Sequence, residues 1–293
     1  MTILYLNGKF VEHQDAALDP LDRGVLLGDG VFETIRCEEG QLLFHSAHFA
    51  RLGRNARIME IPWNMHSEEL LQVCQQCLDA NGLEAGRLRI TVTRGELGSS
   101  PEINVGATAP TVIVSAHHTN QTVIEESRAR GWSARVVHFP LNHRSPLAEV
   151  KSTSYQERLL ARMVAKRDGF DEGIMLNTDG LVAEGAMTNL FIVRDGGVVT
   201  PPVEDGALPG IMRLRLGMIC GRMGMTYAEE SLTTEDFLTA EEAFLTNAII
   251  EVMPLVRMNE HRIGEGEPGP IVRRLQAENR ADVEAFLAGL RKG

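Results

Sequence analysis

Lys151 is the clearest candidate nucleophile in the chain. It follows PLAEV and opens KSTSYQER, a Ser/Thr-flanked run that reads as the entrance to a helix. At such an entrance the positive end of the helix dipole lowers an amine's pKa, favouring the neutral form that attacks aldehydes. Most lysines near helix ends are solvated surface groups, so position alone does not decide. Glu184 stands in TDGLVAEGAMTNLFIV, at the end of one strand of an apparent hairpin. A carboxylate there can face a ring nitrogen and keep it protonated; the other reading is an exposed turn residue. Three further features can hold an anion. Arg51, in HFARL, lies on a predicted helix, where its forked guanidinium matches phosphate oxygens or is simply a surface charge. LPGIMR sets Pro209-Gly210 ahead of a helix whose first amides, at Ile211 and Met212, are open to an anion. Asn247 and Ala248, in FLTNAIIEVMPL, follow a strand and add donors.

The elements that must position these residues fall into two groups. ILYL, the turn Asn7-Gly8 and KFVE read as a hairpin, and GVFETIRCEEGQLLF as a second one turning near Glu39-Gly40. HSAHFARLGRNARIMEI and SEELLQVCQQCLDANG have helical periodicity, and RLRITVTRG and TVIVSA are β-rich. This predicts a compact α/β unit over residues 1–115, a polar linker over 116–125 and a second unit over 126–293. In the second unit SARVVHF, EGIMLN, LVAEG and NLFIVRDG read as strands, and SYQERLLARMVAKRDG, LPGIMRLRLGMICGRMG and the C-terminal PIVRRLQAENRADVEAFLAGLRK as helices. The order predicts two α+β domains rather than one doubly wound sheet. No Walker A sequence occurs.

Composition narrows the classes. Hydrophobic residues make up 43% of the 293, enough for real cores, so disorder is excluded. A net charge of −11 argues against non-specific nucleic-acid binding. Cys74 and Cys77 form a CxxC without a second pair at zinc-finger spacing, and their helical context favours two core residues over a redox or metal site. No signal-like N-terminus or apolar run of membrane-spanning length is present, which predicts a cytoplasmic protein with reduced thiols.

Lys151, Glu184, LPGIMR and TNAIIEVMP, with DRGVLLGDGVFET at residues 22–34, occur in the order seen in the class IV enzymes of pyridoxal 5'-phosphate (PLP), also called fold type IV. The chain resembles this family from about residue 3 to about residue 260. The family includes branched-chain aminotransferases, D-amino-acid aminotransferases and aminodeoxychorismate lyases. The resemblance implies a two-domain α+β fold of the D-amino-acid aminotransferase type, with a small N-terminal α/β domain and a larger C-terminal PLP-binding domain. It implies PLP held as a Schiff base on Lys151, which would also move the substrate's proton. Glu184 would pair with the ring nitrogen. Arg51, the amides of Ile211 and Met212, and Asn247 with Ala248 would hold the phosphate. Tyr155 would reach the ring hydroxyl, or else pack against the sheet. A small-molecule amino substrate and a homodimer are further implications.

The cofactor shell serves lyase and transaminase alike, so the substrate wall must choose. TNAIIEVMPL has Asn-Ala where branched-chain aminotransferases usually have Gly-Thr, and KSTSY is similar to some lyases. Leu27 stands where branched-chain enzymes tend to carry Tyr. The loop RGELGSSPEINVG lacks the basic residues typical of D-amino-acid enzymes beyond its Arg94, and its polarity predicts a mobile cover. Arg36 and Arg89 lie on strands whose alternation can point both inward as carboxylate binders; for Arg36 a surface charge pair is an equal reading. The resemblance therefore favours 4-amino-4-deoxychorismate lyase, which gives 4-aminobenzoate and pyruvate. An aminotransferase for branched-chain or related L-amino acids is the alternative, then one for D-amino acids, and a PLP-binding protein without turnover the remote one.

Overall fold

A computed structural model describes residues 2–96 and 109–291. Beyond Glu96, the loop expected to form a cover lies outside the described residues. The chain divides into two compact units, residues 1–120 with 150–155 and residues 121–149 with 156–293.

In the first unit β1 (Ile3–Leu6), β2 (Lys9–Glu12), α1 (Arg23–Leu27), β3 (Gly30–Glu38), β4 (Gln41–Leu42), α2 (His45–Ile58), α3 (Ser67–Ala80), β5 (Gly86–Thr93) and β6 (Thr111–His118) follow in order. Among the described residues these strands form one antiparallel sheet, ordered β2-β1-β6-β5-β3-β4. Both residues of the Asn7-Gly8 and Glu39-Gly40 turns have positive φ, the twist that two-residue hairpins need. Alternation sends Val31, Ile35 and Cys37 of β3, with Leu88, Ile90 and Val92 of β5, to one face, which Leu52 and Ala56 of α2 and Leu70, Cys74, Cys77 and Leu78 of α3 cover. The α3 residues recur at helical spacing, so both cysteines pack as core; burial pushes the Cys77 thiol up to about 11. The opposite face carries Phe32, Thr34 and Arg36, with Arg89 across from Thr34 and Thr91 across from Phe32.

The second unit contains α4 (Gln121–Arg130), β7 (Trp132–Val136), α5 (Gln156–Arg167), β8 (Glu172–Leu176), β9 (Val182–Gly185), β10 (Asn189–Arg194), β11 (Gly197–Thr200), α6 (Ile211–Arg222), β12 (Tyr227–Glu229), α7 (Thr234–Leu238), β13 (Glu242–Asn247), β14 (Glu251–Met258), β15 (His261–Arg262) and α8 (Pro270–Leu290). Among the described residues its sheet runs β12-β11-β10-β13-β14-β7-β8-β9, with β15 on β14. β7 runs parallel to β8 and β14, and β11 to β12; the other pairs are antiparallel. On one face Phe191, Phe244 and Val252 meet Met212, Leu216 and Ile219 of α6 and Val272 and Leu275 of α8. On the other, Leu190, Ile192, Leu245 and Met253 meet Phe237 of α7 and Ile124 of α4. The fold is the α+β one the resemblance implied. Among the described residues no helix is long and apolar enough to cross a membrane.

Two expectations differ from what is observed. The stretch 116–125, expected as a linker, carries the end of β6 and the first half of α4. Ladder pairing with β5 extends the strand from Ala116 through the polar His117 and His118. Lys151 does not open a helix, because residues 152–155 separate it from α5. A helix dipole fades within its first turn, so it does not activate this amine.

Candidate active site

In the first unit the residues gather around Phe32, which is buried in β3. The Lys151 Nζ lies 4.5 Å from the centre of its ring. The Arg89 guanidinium lies over the same ring at 3.4 Å, and Tyr155 meets it edge-on at 5.5 Å. Backbone bonds fix the segment that carries the lysine. The Phe32 N–H donates to the Lys151 carbonyl at 3.0 Å and the Thr153 N–H to the Gly30 carbonyl at 2.8 Å. The Thr153 hydroxyl adds a bond to the Gly28 carbonyl at 2.7 Å. Burial first, and the nearby Arg87 charge second, push Arg89 down to about 10, against the pull of Tyr155 and Glu33.

Arg51 is reached from the other face of β3, through Glu33. Its Nε donates to Glu33 Oε1 at 2.7 Å and its Nη2 to Oε2 at 2.8 Å. His48 Nδ1, one turn back on α2, is 2.8 Å from Oε2. Arg51 is therefore not a surface charge. Burial alone would raise the Glu33 pKa, but the charge and hydrogen bonds of Arg51, then those of His48, overcome it and bring it down to about 2. Arg36 shares the Phe32 face but sits four residues along the strand, about 13 Å away. It is buried, and its Nη2 donates to Glu38 Oε2 at 2.8 Å.

In the second unit Glu184 lies on β9 opposite Met175 of β8, and it is buried. Its Oε1 accepts from Arg158 Nη1, and its Oε2 accepts from the Leu208 N–H at 3.0 Å. Leu208 begins the segment that leads through Pro209-Gly210 into α6, so the carboxylate and the Ile211-Met212 amides belong to one assembly. Asn189 Nδ2 donates to the Leu208 carbonyl at 2.8 Å. A Cβ on Gly210 would stand 2.0 Å from Asn189 Oδ1, so any larger residue there must displace that hydrogen-bonded carboxamide. The N-cap residue of α6 is Gly210, which has no side chain to cap the helix. Asn247 ends β13. Its Oδ1 accepts from the Ile249 and Ile250 N–H groups at 2.8 and 2.9 Å, and its Nδ2 donates to the Met187 carbonyl at 3.1 Å. Ala248 follows within that turn.

The family profile described as amino-transferase class IV matches residues 30–258, most of the chain. The chain belongs to that family. A branched-chain-amino-acid aminotransferase of Salmonella typhimurium is 31% identical over 279 residues, covering 93% of this chain and 90% of that protein. A branched-chain amino acid aminotransferase of Escherichia coli superposes with a TM-score of 0.89 at 29% identity, over 94% of this chain and 92% of that one. Another from T.th., solved with pyridoxamine 5'-phosphate, superposes with a TM-score of 0.90 at 25% identity, over 97% and 94%. A candidate 4-amino-4-deoxychorismate lyase of Legionella pneumophila superposes with a TM-score of 0.84 at 26% identity, over 92% and 97%.

This class IV chain is thus a PLP-dependent enzyme, and its own residues suit the cofactor. The uncapped α6 N-terminus supplies amides for a phosphate. The Thr246 hydroxyl is fully buried and has no hydrogen-bond partner among the described residues. It lies opposite Asn189 in the sheet register, on the face that carries α6. Four residues with roles at these groups escaped the sequence reading. Phe32 and Glu33 lie inside the quoted VFET but differ from ordinary strand residues only through their cross-sheet neighbours. His48 and Arg158 carry no local signal; each is identified by the carboxylate it meets in three dimensions.

Proposed function

We propose that the chain is an aminotransferase that moves an amino group between an α-amino acid and a 2-oxo acid. The Phe32 cluster carries this reading: one amine, on Lys151, and one guanidinium, on Arg89, share a single aromatic ring. An α-amino acid presents an amine and a carboxylate one carbon apart, and this pairing of groups suits both. When bound, PLP withdraws electrons from the carbon bearing the amino group and so acidifies its proton. Lys151 would hold the cofactor through Nζ and, as the neutral amine, move that proton. Arg89 would bind the carboxylate, while Phe32 and Tyr155 keep water from the amine. Glu184 would face the ring nitrogen, and Arg158 and the Leu208 amide would orient it. Ile211 and Met212, with Asn247 and Ala248, would hold the phosphate together with Arg51, which Glu33 and His48 fix in place.

The Salmonella relative's name supports branched-chain or related L-amino acids as substrates. The lyase is the second reading, supported by the Legionella neighbour. The Asn-Ala signal that favoured it has another explanation. Asn247's carboxamide is engaged in its own turn and with Met187, so its type has a structural use independent of the substrate. A homodimer in the cytoplasm completes the proposal. Exposed Leu159, Leu160 and Met163 on α5, and Val25, Leu26 and Leu27 on α1, suit burial against a second copy. Light scattering at twice the chain mass is the expected result.

The test is a paired assay. Leucine with 2-oxoglutarate should yield glutamate, and aminodeoxychorismate should yield no 4-aminobenzoate. The reverse outcome overturns the aminotransferase reading in favour of the lyase. Borohydride should fix the cofactor on Lys151, and Lys151→Ala should lose both that label and turnover.

A further inference from the structure

A single polar network, buried at Glu251, Asn279 and Arg215, fastens the Asn247–Ile250 turn to α4 and α8 and continues into α6. The residue after the turn, Glu251, has φ +56°. A residue with a β-carbon adopts that conformation only against strain, so something must hold it there. The Glu251 carboxylate is buried and held from two sides. Its Oε2 accepts from Arg128 Nη2 at 2.5 Å, and its Oε1 accepts from Asn279 Nδ2 at 3.1 Å. Arg128 also donates to the Ile250 carbonyl, from Nε at 3.2 Å and Nη2 at 2.9 Å. The guanidinium of α4 thus grips the last turn residue by its backbone and the next by its side chain.

Asn279 carries the network onward. Its Oδ1 accepts from Arg215 Nη2 of α6 at 3.1 Å, and the same nitrogen is 3.3 Å from Asp282 Oδ2. The turn after β13 and the helix α6, the two elements proposed above to hold phosphate in this unit, are therefore joined through one buried asparagine of α8. Neither Arg128 nor Asn279 belongs to the phosphate-holding set.

We propose that Arg128, Glu251 and Asn279 are positioning residues that hold the 247–250 turn in its anion-accepting shape and in register with α6, and so set the enzyme's affinity for the phosphate of its cofactor. The inference rests on the reading that this turn and α6 hold that phosphate. Donors fixed before binding need no ordering when the anion arrives; a loosened turn must be ordered at the expense of affinity.

Phosphate dependence tests this. The full-length protein, depleted of cofactor, is titrated with PLP and with pyridoxal, which lacks the phosphate. Arg128→Met and Asn279→Leu should each weaken PLP about tenfold or more, equivalent to about 1.4 kcal/mol or more, with pyridoxal nearly unchanged. Glu251→Gly removes the carboxylate but tolerates positive φ, so it should bind PLP more tightly than Glu251→Ala, which keeps the strain without the tether. Equal weakening of PLP and pyridoxal would mean a general structural role and overturn the proposal. Ala248→Pro, which deletes a turn amide, separates this failure from that of the parent reading. If it weakens PLP while Arg128→Met does not, the positioning role falls. If it has no effect, the phosphate assignment of the turn falls, and the proposal with it. Arg128→Lys serves where Arg128→Met does not fold, with the same selective loss of PLP expected.

Discussion

Replacing Glu33 with glutamine should reveal how strongly the first unit depends on one buried charge pair. The carboxylate is fully buried, takes both prongs of Arg51 at 2.7 and 2.8 Å, and meets His48 at 2.8 Å. Glutamine keeps the shape and one acceptor but removes the charge that neutralises Arg51. Breaking a buried pair on one side costs about 3–5 kcal/mol. An independent route gives a similar figure: the fall of the Glu33 pKa from 4.5 to about 2 is equivalent to roughly 3 kcal/mol. Folding lowers this pKa, so the folded state binds fewer protons than the unfolded one. The contribution is complete above pH 4.5 and is lost as pH falls toward 2.

The assay is urea unfolding of the native protein and of Glu33→Gln between pH 7 and pH 3.5. At pH 7 the variant should be less stable by about 3 kcal/mol. At pH 3.5 the gap should have shrunk by about 1 kcal/mol, because the native protein loses stability there and the variant has no carboxyl to titrate. Adding Arg51→Met to Glu33→Gln should recover part of the loss, since the uncompensated guanidinium is gone. A gap below about 1 kcal/mol at pH 7, or one that stays constant on acidification, would refute the account.

Arg158→Met should destabilise the second unit by about 3 kcal/mol, because among the described residues buried Glu184 then keeps only the Leu208 amide. Adding Glu184→Gln should restore stability, and a urea titration without that rescue would argue against a charge-pair origin. Gly210→Ala should disrupt the α6 N-terminus, since the new Cβ would lie 2.0 Å from Asn189 Oδ1. The expected readout is weaker PLP binding, with Asn189→Ala in the same chain restoring it by opening the space; no effect of either change would separate this glycine from cofactor binding.

The parts of the fold legible in the sequence are those governed by local rules. The Asn7-Gly8 and Glu39-Gly40 turns, the helical spacing of Leu70, Cys74, Cys77 and Leu78, and Pro209-Gly210 ahead of α6 each depend on neighbours within a few residues. Lys151 was legible only through the motif around it. The physical reason first offered for its reactivity, a helix entrance, does not apply, because residues 152–155 intervene. What positions Lys151 is long-range: a backbone bond to Phe32, a residue more than a hundred positions earlier, and the aromatic face of that same residue.

The same distinction bears on the choice of reaction. The Asn-Ala pair at 247–248 pointed toward the lyases because its types differ from the Gly-Thr usual in branched-chain enzymes. The Asn247 carboxamide accepts from two amides of its own turn and donates to Met187. Residue type at that position thus has an explanation in turn architecture. The shape of that turn is proposed above to depend on Arg128, Glu251 and Asn279, which no local pattern links to it. Specificity is better sought on the Phe32 face, where Arg89 supplies a half-buried cation beside the amine. Arg89→Met should therefore raise the KM for the amino acid far more than Asn247→Gly does, and an unchanged KM in that variant would move the carboxylate site away from this strand.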